Sequence, residues 1–83
     1  MANQPPEKQF RIGSVSASVF ANTVDGDGSR KRKIRNVNLQ RRYKDGDNWK
    51  SSSSFGLADI PHAIRVLQLA QHHVEAAEAD VTD

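Results

Sequence analysis

The sequence predicts an α+β fold: an antiparallel meander of three to four strands followed by one C-terminal helix, assembled as a homodimer through that helix. Three observations carry this expectation. Apolar residues alternate with a period of two from about Gln9 to Phe55. Two Asp-Gly clusters, Asp25-Gly26-Asp27-Gly28 and Asp45-Gly46-Asp47-Asn48, interrupt that stretch with turn chemistry. After Asp59 the apolar period changes to three and four.

In chain order, residues 1–7 hold Pro5-Pro6 and no apolar pattern, which predicts a flexible tail. A single sheet-plus-helix domain over 8–80 follows, with 81–83 as a second tail. In the first strand Val15, Ala17 and Val19 alternate with Ser14, Ser16 and Ser18. Phe10 and Ile12 lie on the other parity, so a bulge or bend is expected at Gly13. The second strand covers about Lys31–Lys44, with Val37, Leu39 and Tyr43 on one face and Asn36, Asn38, Gln40 and Arg42 on the other. A third runs from about Trp49 to Phe55, its serine run bracketed by two aromatics of equal parity. Pairing Ala17 with Val37 and Tyr43 with Trp49 preserves parity throughout. It puts Val15, Ala17, Val19, Val37, Leu39, Tyr43, Trp49 and Phe55 under the helix.

Asp59 is the expected helix cap, and Pro61 fits the first turn, where a missing N–H costs nothing. Ile60, Ala63, Ile64, Leu67, Val74 and Ala77 repeat at helical spacing, and Val66, Leu69 and Ala70 widen the apolar arc to roughly 220°. Three strands seldom cover so much. The surplus is therefore assigned to a second copy, through Val66, Leu69, Ala70, His73 and Ala77.

Charge is distributed in zones. The 83 residues sum to +2, but residues 30–50 carry nine of the twelve basic side chains and a net of +7, against −1 before and −4 after them. Such asymmetry points to a polyanionic partner. In the expected register the face away from the helix is rich in hydroxyls and amides, edged with cations and free of carboxylates. Single-stranded nucleic acid is bound on surfaces of that kind. Arg32, Arg35, Arg42, Lys44 and Lys50 are expected to meet phosphates, Asn38 and Gln40 to hydrogen-bond, and Phe20 to stack. Single-stranded DNA is favoured, without strong sequence preference. The alternative is a protein-interaction module working through the broad apolar helix face.

Other chemistries fail on spacing. With no cysteine there is no disulfide, thiolate zinc site or cysteine nucleophile. Asp25–Ser29 begins like a calcium loop, but its sixth and twelfth positions are Arg30 and Asn36. His62, His72 and His73 form no i,i+4 metal pair, and no nucleophile elbow or phosphate-binding glycine loop occurs. No enzyme activity, cofactor or metal is therefore expected. No run reaches the ~18 apolar residues of a membrane span, and Met1–Phe10 lacks an apolar signal segment. A cytoplasmic protein with no membrane partner is the expectation.

Three blocks carry a resemblance: Phe10-Arg11-Ile12-Gly13-Ser14-Val15-Ser16-Ala17, Arg42-Tyr43-Lys44-Asp45-Gly46-Asp47-Asn48-Trp49-Lys50 and Ser54-Phe55-Gly56-Leu57-Ala58-Asp59-Ile60-Pro61. They resemble a family of small uncharacterised bacterial proteins, over roughly residues 8–74; Asp25–Lys33 is longer and more basic than that pattern. The order of elements is also similar to the Whirly and transcriptional-coactivator fold. That likeness implies curved sheets that bind single-stranded DNA and helices that mediate assembly.

Overall fold

A computed structural model describes residues 5–25 and 31–79. Four strands, β1 (Lys8–Ile12), β2 (Val15–Asp25), β3 (Lys31–Asp45) and β4 (Asn48–Ser52), form one antiparallel sheet in the order β1-β2-β3-β4. A short 3-10 turn at Leu57–Asp59 leads into α1 (Ile60–Glu78). The fold class is the one the alternation and the late change of period predict.

The turns decide which side chain faces where. The parity change at Gly13 is a full reversal, not a bend: Ile12 pairs with Val15 across the two-residue loop Gly13-Ser14. Gly13 has φ +60°, which suits a tight hairpin of this kind. Ile12 and Phe10 thereby join Val15 and Ala17 on one face. Between β2 and β3, Ala17 pairs with Leu39 and Val19 with Val37. This register is shifted by two from the expected one and keeps every face assignment. It sets Val37, not the charged Arg35, beside the buried Val19.

The last hairpin differs by one residue, and there the faces exchange. Asp45 pairs with Asn48 across the two-residue loop Gly46-Asp47, with Gly46 at φ +63°. Tyr43 therefore opposes Lys50, and Trp49 opposes Lys44. A slip of one residue inverts every side chain of a strand, so Trp49 leaves the helix face and Lys50 enters it. β4 stops at Ser52, whose Oγ accepts the Ser54 N–H at 3.0 Å and turns the chain towards the helix.

The core is small. Val15, Ala17 and Val19 of β2 meet Ala63, Val66 and Ala70 of α1, with Phe10, Ile12, Leu39, Phe55 and Val74 packed around them. Half of the fully packed residues are alanine, and the close approach of helix and sheet is what small side chains permit. Ile60, Ile64 and Leu67 lie on the neighbouring flank of α1 and stay 40, 53 and 41 % exposed. This reverses the expected use of the helix: Val66 and Ala70, assigned to a second copy, are 0 and 1 % exposed against the chain's own sheet. His73 also turns inward, its ring edge-on to Phe10 at 6.3 Å. Leu69 is half-buried and Ala77 exposed. Asp59 precedes α1 without capping it; its Oδ2 accepts the Gly56 N–H at 3.0 Å.

Glu7, expected to end a loose tail, is held fast. Its N–H donates to the Val19 carbonyl, and its carboxylate accepts two hydrogen bonds from Arg35, at 2.8 and 3.0 Å. No described helix is long and apolar enough to cross a membrane.

Candidate nucleic-acid interface

α1 lies over β1 and β2 and only grazes β3, and no other described element covers the opposite face of the sheet. Strand parity places Arg11, Ser16, Ser18, Phe20, Asn36, Asn38, Gln40, Arg42, Lys44, Trp49 and Ser51 on that open face. Among the described strand residues, none on this face is acidic. A cationic surface without internal counter-ions attracts a polyanion without first breaking its own ion pairs.

Five of the eight expected contact residues lie here with described side chains: Phe20, Asn38, Gln40, Arg42 and Lys44. Phe20 is half-buried opposite Asn36, while Asn38, Gln40 and Lys44 are exposed. Arg32 lies on β3 opposite Val24, and its side chain falls outside the described residues.

Two expected contacts are corrected. Arg35 pairs with Ala21 on the helix face, where its side chain is 10 % exposed and bound to Glu7. It has no free charge to offer. Lys50 lies on the helix face because of the two-residue loop, and its Nζ is 2.8 Å from Asp45 Oδ2.

Two residues were not anticipated. Trp49, 60 % exposed, carries the Arg42 guanidinium 5.0 Å from its ring centroid and the Lys44 ammonium at 5.9 Å. Such cation–π contacts orient long cationic stems at small cost. Arg41, the neighbour of Arg42 on β3, lies 5.3 Å from the Tyr43 ring on the other face and donates to the Ser54 carbonyl. Arg11 reaches the open face because the Gly13 turn makes β1 a separate strand. Reading Gly13-Ser14 and Gly46-Asp47 as two-residue hairpin loops is the signal that would have placed both residues.

The carboxylate of Glu7 is the one strongly shifted acid among the described residues. Its hydrogen bonds from Arg35, aided by His73 at 3.4 Å, lower its pKa from 4.5 to about 2. Glu7 therefore joins the edge of β1, β3 and α1 as an anion, on the side of the sheet remote from Trp49. Comparisons with family models, with curated proteins and with solved structures find no match.

Proposed function

We propose that the chain is a sequence-tolerant nucleic-acid-binding module for single-stranded DNA, a binding protein rather than an enzyme, acting in the cytoplasm. The observation that carries this reading is the open sheet face: Arg42 and Lys44 lie against an exposed indole and Arg11 lines a cleft with it, with serines and amides on the strands and no acidic residue among the described strand residues of that face. Flexible single strands present bases to aromatic platforms and phosphates to cations at once, which a stacked duplex does not. The likeness of element order to the Whirly and transcriptional-coactivator fold supports the reading by analogy.

The test is a titration with short oligonucleotides across several salt concentrations. Neutralising phosphates with three cations predicts a log–log salt slope of about −2 for a single strand. Absence of binding at low salt contradicts the proposal.

A second reading has its own observation. Leu57 is 90 % exposed, and with Ile60, Ile64, Leu67 and Val37 it forms an apolar margin where α1 overhangs β3. A groove of about 420 Å³ runs there between Val37 and the Leu67–Val74 side of the helix. In this reading the margin receives a protein. We assign it first to a second copy of the chain, which replaces the Val66 surface with the Ile64 surface. Ile64→Asp is then expected to shift the native mass to that of a monomer, and an unchanged mass contradicts the assignment.

A further inference from the structure

The open face is not uniform, and one end of it has the shape of a receptacle. Arg11, Ser16 and Gln40 lie in one line across three strands, and Ser14 is bound to the next line through the Arg42 N–H, 2.8 Å from the Ser14 carbonyl. Serines form the low middle of these lines. Ser16 is only 4 % exposed, between Arg11 of β1 and Gln40 of β3. At the hairpin end of these lines a cleft of about 370 Å³ is lined by Arg11, Gly13, Ser14, Arg42 and Trp49.

Its chemistry is divided across its width. One wall is the Arg11 guanidinium; the other is the Trp49 indole with Arg42 against it. Gly13 sits in a positive-φ turn, and the Arg42 backbone is bonded to Ser14, so Arg11 and Arg42 are both tied to one tight hairpin turn. No carboxylate lines the cleft. Its volume is near the lower end of the roughly 300–1,000 Å³ of small-ligand sites, the scale of one nucleotide and not of several.

We propose that this cleft seats a single nucleotide, its base against the Trp49 indole and its phosphate between Arg11 and Arg42. The proposal rests on the nucleic-acid reading above and deepens it. Two guanidiniums grip a phosphate through charge-assisted, bidentate-capable hydrogen bonds, and an indole accepts any base by its π-face. The Lys44 ammonium, at 5.9 Å the looser of the two cations on Trp49, moves to a neighbouring phosphate when a base arrives. The rest of the sheet supplies only diffuse attraction, and this cleft fixes the strand.

Trp49 is the only tryptophan of the chain, so its fluorescence reports this cleft alone. The full chain is titrated with thymidine 5′-monophosphate, thymidine, inorganic phosphate and a short oligothymidylate. Thymidine 5′-monophosphate is expected to quench saturably, and thymidine to bind roughly tenfold more weakly for want of the phosphate contacts. Inorganic phosphate is expected to compete without the same quenching. Arg11→Ala should reduce monophosphate affinity roughly tenfold and erase the preference over thymidine. By calorimetry, Trp49→Phe should retain binding and Trp49→Ala lose roughly tenfold. If the oligothymidylate binds while the monophosphate does not quench, or if Arg11→Ala leaves both affinities unchanged, the cleft assignment is overturned and the sheet reading stands. If the oligothymidylate does not bind either, both fall together.

Discussion

The two faces of one sheet are built from the same strands and yet follow opposite rules. On the helix face, three of the cations are neutralised locally: Arg35 is held by Glu7, Lys50 by Asp45, and Arg41 lies 3.6 Å from Asp59. On the open face, Arg42 and Lys44 lie against an indole and Arg11 borders a cleft, with no acid beside them on the strands. The three arginine and lysine side chains that reach towards the helix side are paired, and the three around the Trp49 end of the open face are not. The difference separates basic residues that composition alone treats as equivalent.

The sharpest contrast is between Val66 and Ile64, two residues apart on α1. Val66→Asp is expected to unfold the chain, because an unpaired buried carboxylate costs several kcal/mol, and so small a domain has little more than about 5 kcal/mol in all. Circular dichroism after purification reads this directly. Ile64→Asp, on the exposed flank, should keep the fold and change only association. Equal damage from both would mean the helix is seated differently.

Next in size are the open-face variants. Arg42→Ala is expected to weaken oligonucleotide binding roughly tenfold, the scale of one lost charge-assisted contact, while the melting midpoint barely moves. Lys50→Ala serves as its counterpart across the sheet and should leave binding nearly unchanged. A comparable loss from Lys50→Ala would break the distinction between the faces.

Both hairpin glycines have left-handed φ, but only one is crowded. A Cβ on Gly13 would meet His62 Nδ1 at 3.2 Å, whereas one on Gly46 meets nothing within 4 Å. The conformational penalty of about 1–2 kcal/mol applies to both Ala variants. Thermal melts should place Gly13→Ala below Gly46→Ala by the added contact with the helix.

The smallest expected effect is acid-dependent. The Glu7 carboxylate has a folded pKa of about 2 against an ordinary 4.5. Its stabilising contribution is therefore fully present above pH 4.5 and is lost as pH falls towards 2. Glu7→Gln should flatten stability across that window and leave its slope elsewhere unchanged, as followed by denaturant midpoints at each pH.

Much of this was legible in the sequence, and the rest turned on single residues. Period-two alternation and the switch after Asp59 specify sheet-then-helix order, because each period matches one way of burying a face; the separate β1 was hidden because Gly13 was read as a bend and not as a hairpin. The open face was legible at Asn38, Gln40 and Arg42, whose parity survives the two-residue shift between β2 and β3. Trp49 and Lys50 exchanged faces because loop length sets register: Gly46 allows a two-residue loop, whereas the expected pairing of Tyr43 with Trp49 needs an odd number of loop residues. Arg35 shared its parity with Val37 and so belonged to the helix face all along; its partner Glu7, 28 residues away, is a tertiary contact that no local pattern encodes. Val66 and Leu67 have comparable hydrophobicity and point about 100° apart on α1, so which one the sheet covers depends on how the helix is seated, which local pattern does not encode.

The central claim is that nucleic acid meets the open face and not the helix side. Backbone amide shift mapping with a short single-stranded oligonucleotide tests it most directly. The account predicts perturbations concentrated at Arg11, Ser16, Ser18, Asn38, Gln40, Arg42 and Trp49, with Arg35, Ile64 and Leu67 little affected. Perturbations centred on α1 and the Arg35 side of β3, with Trp49 unmoved, would contradict it.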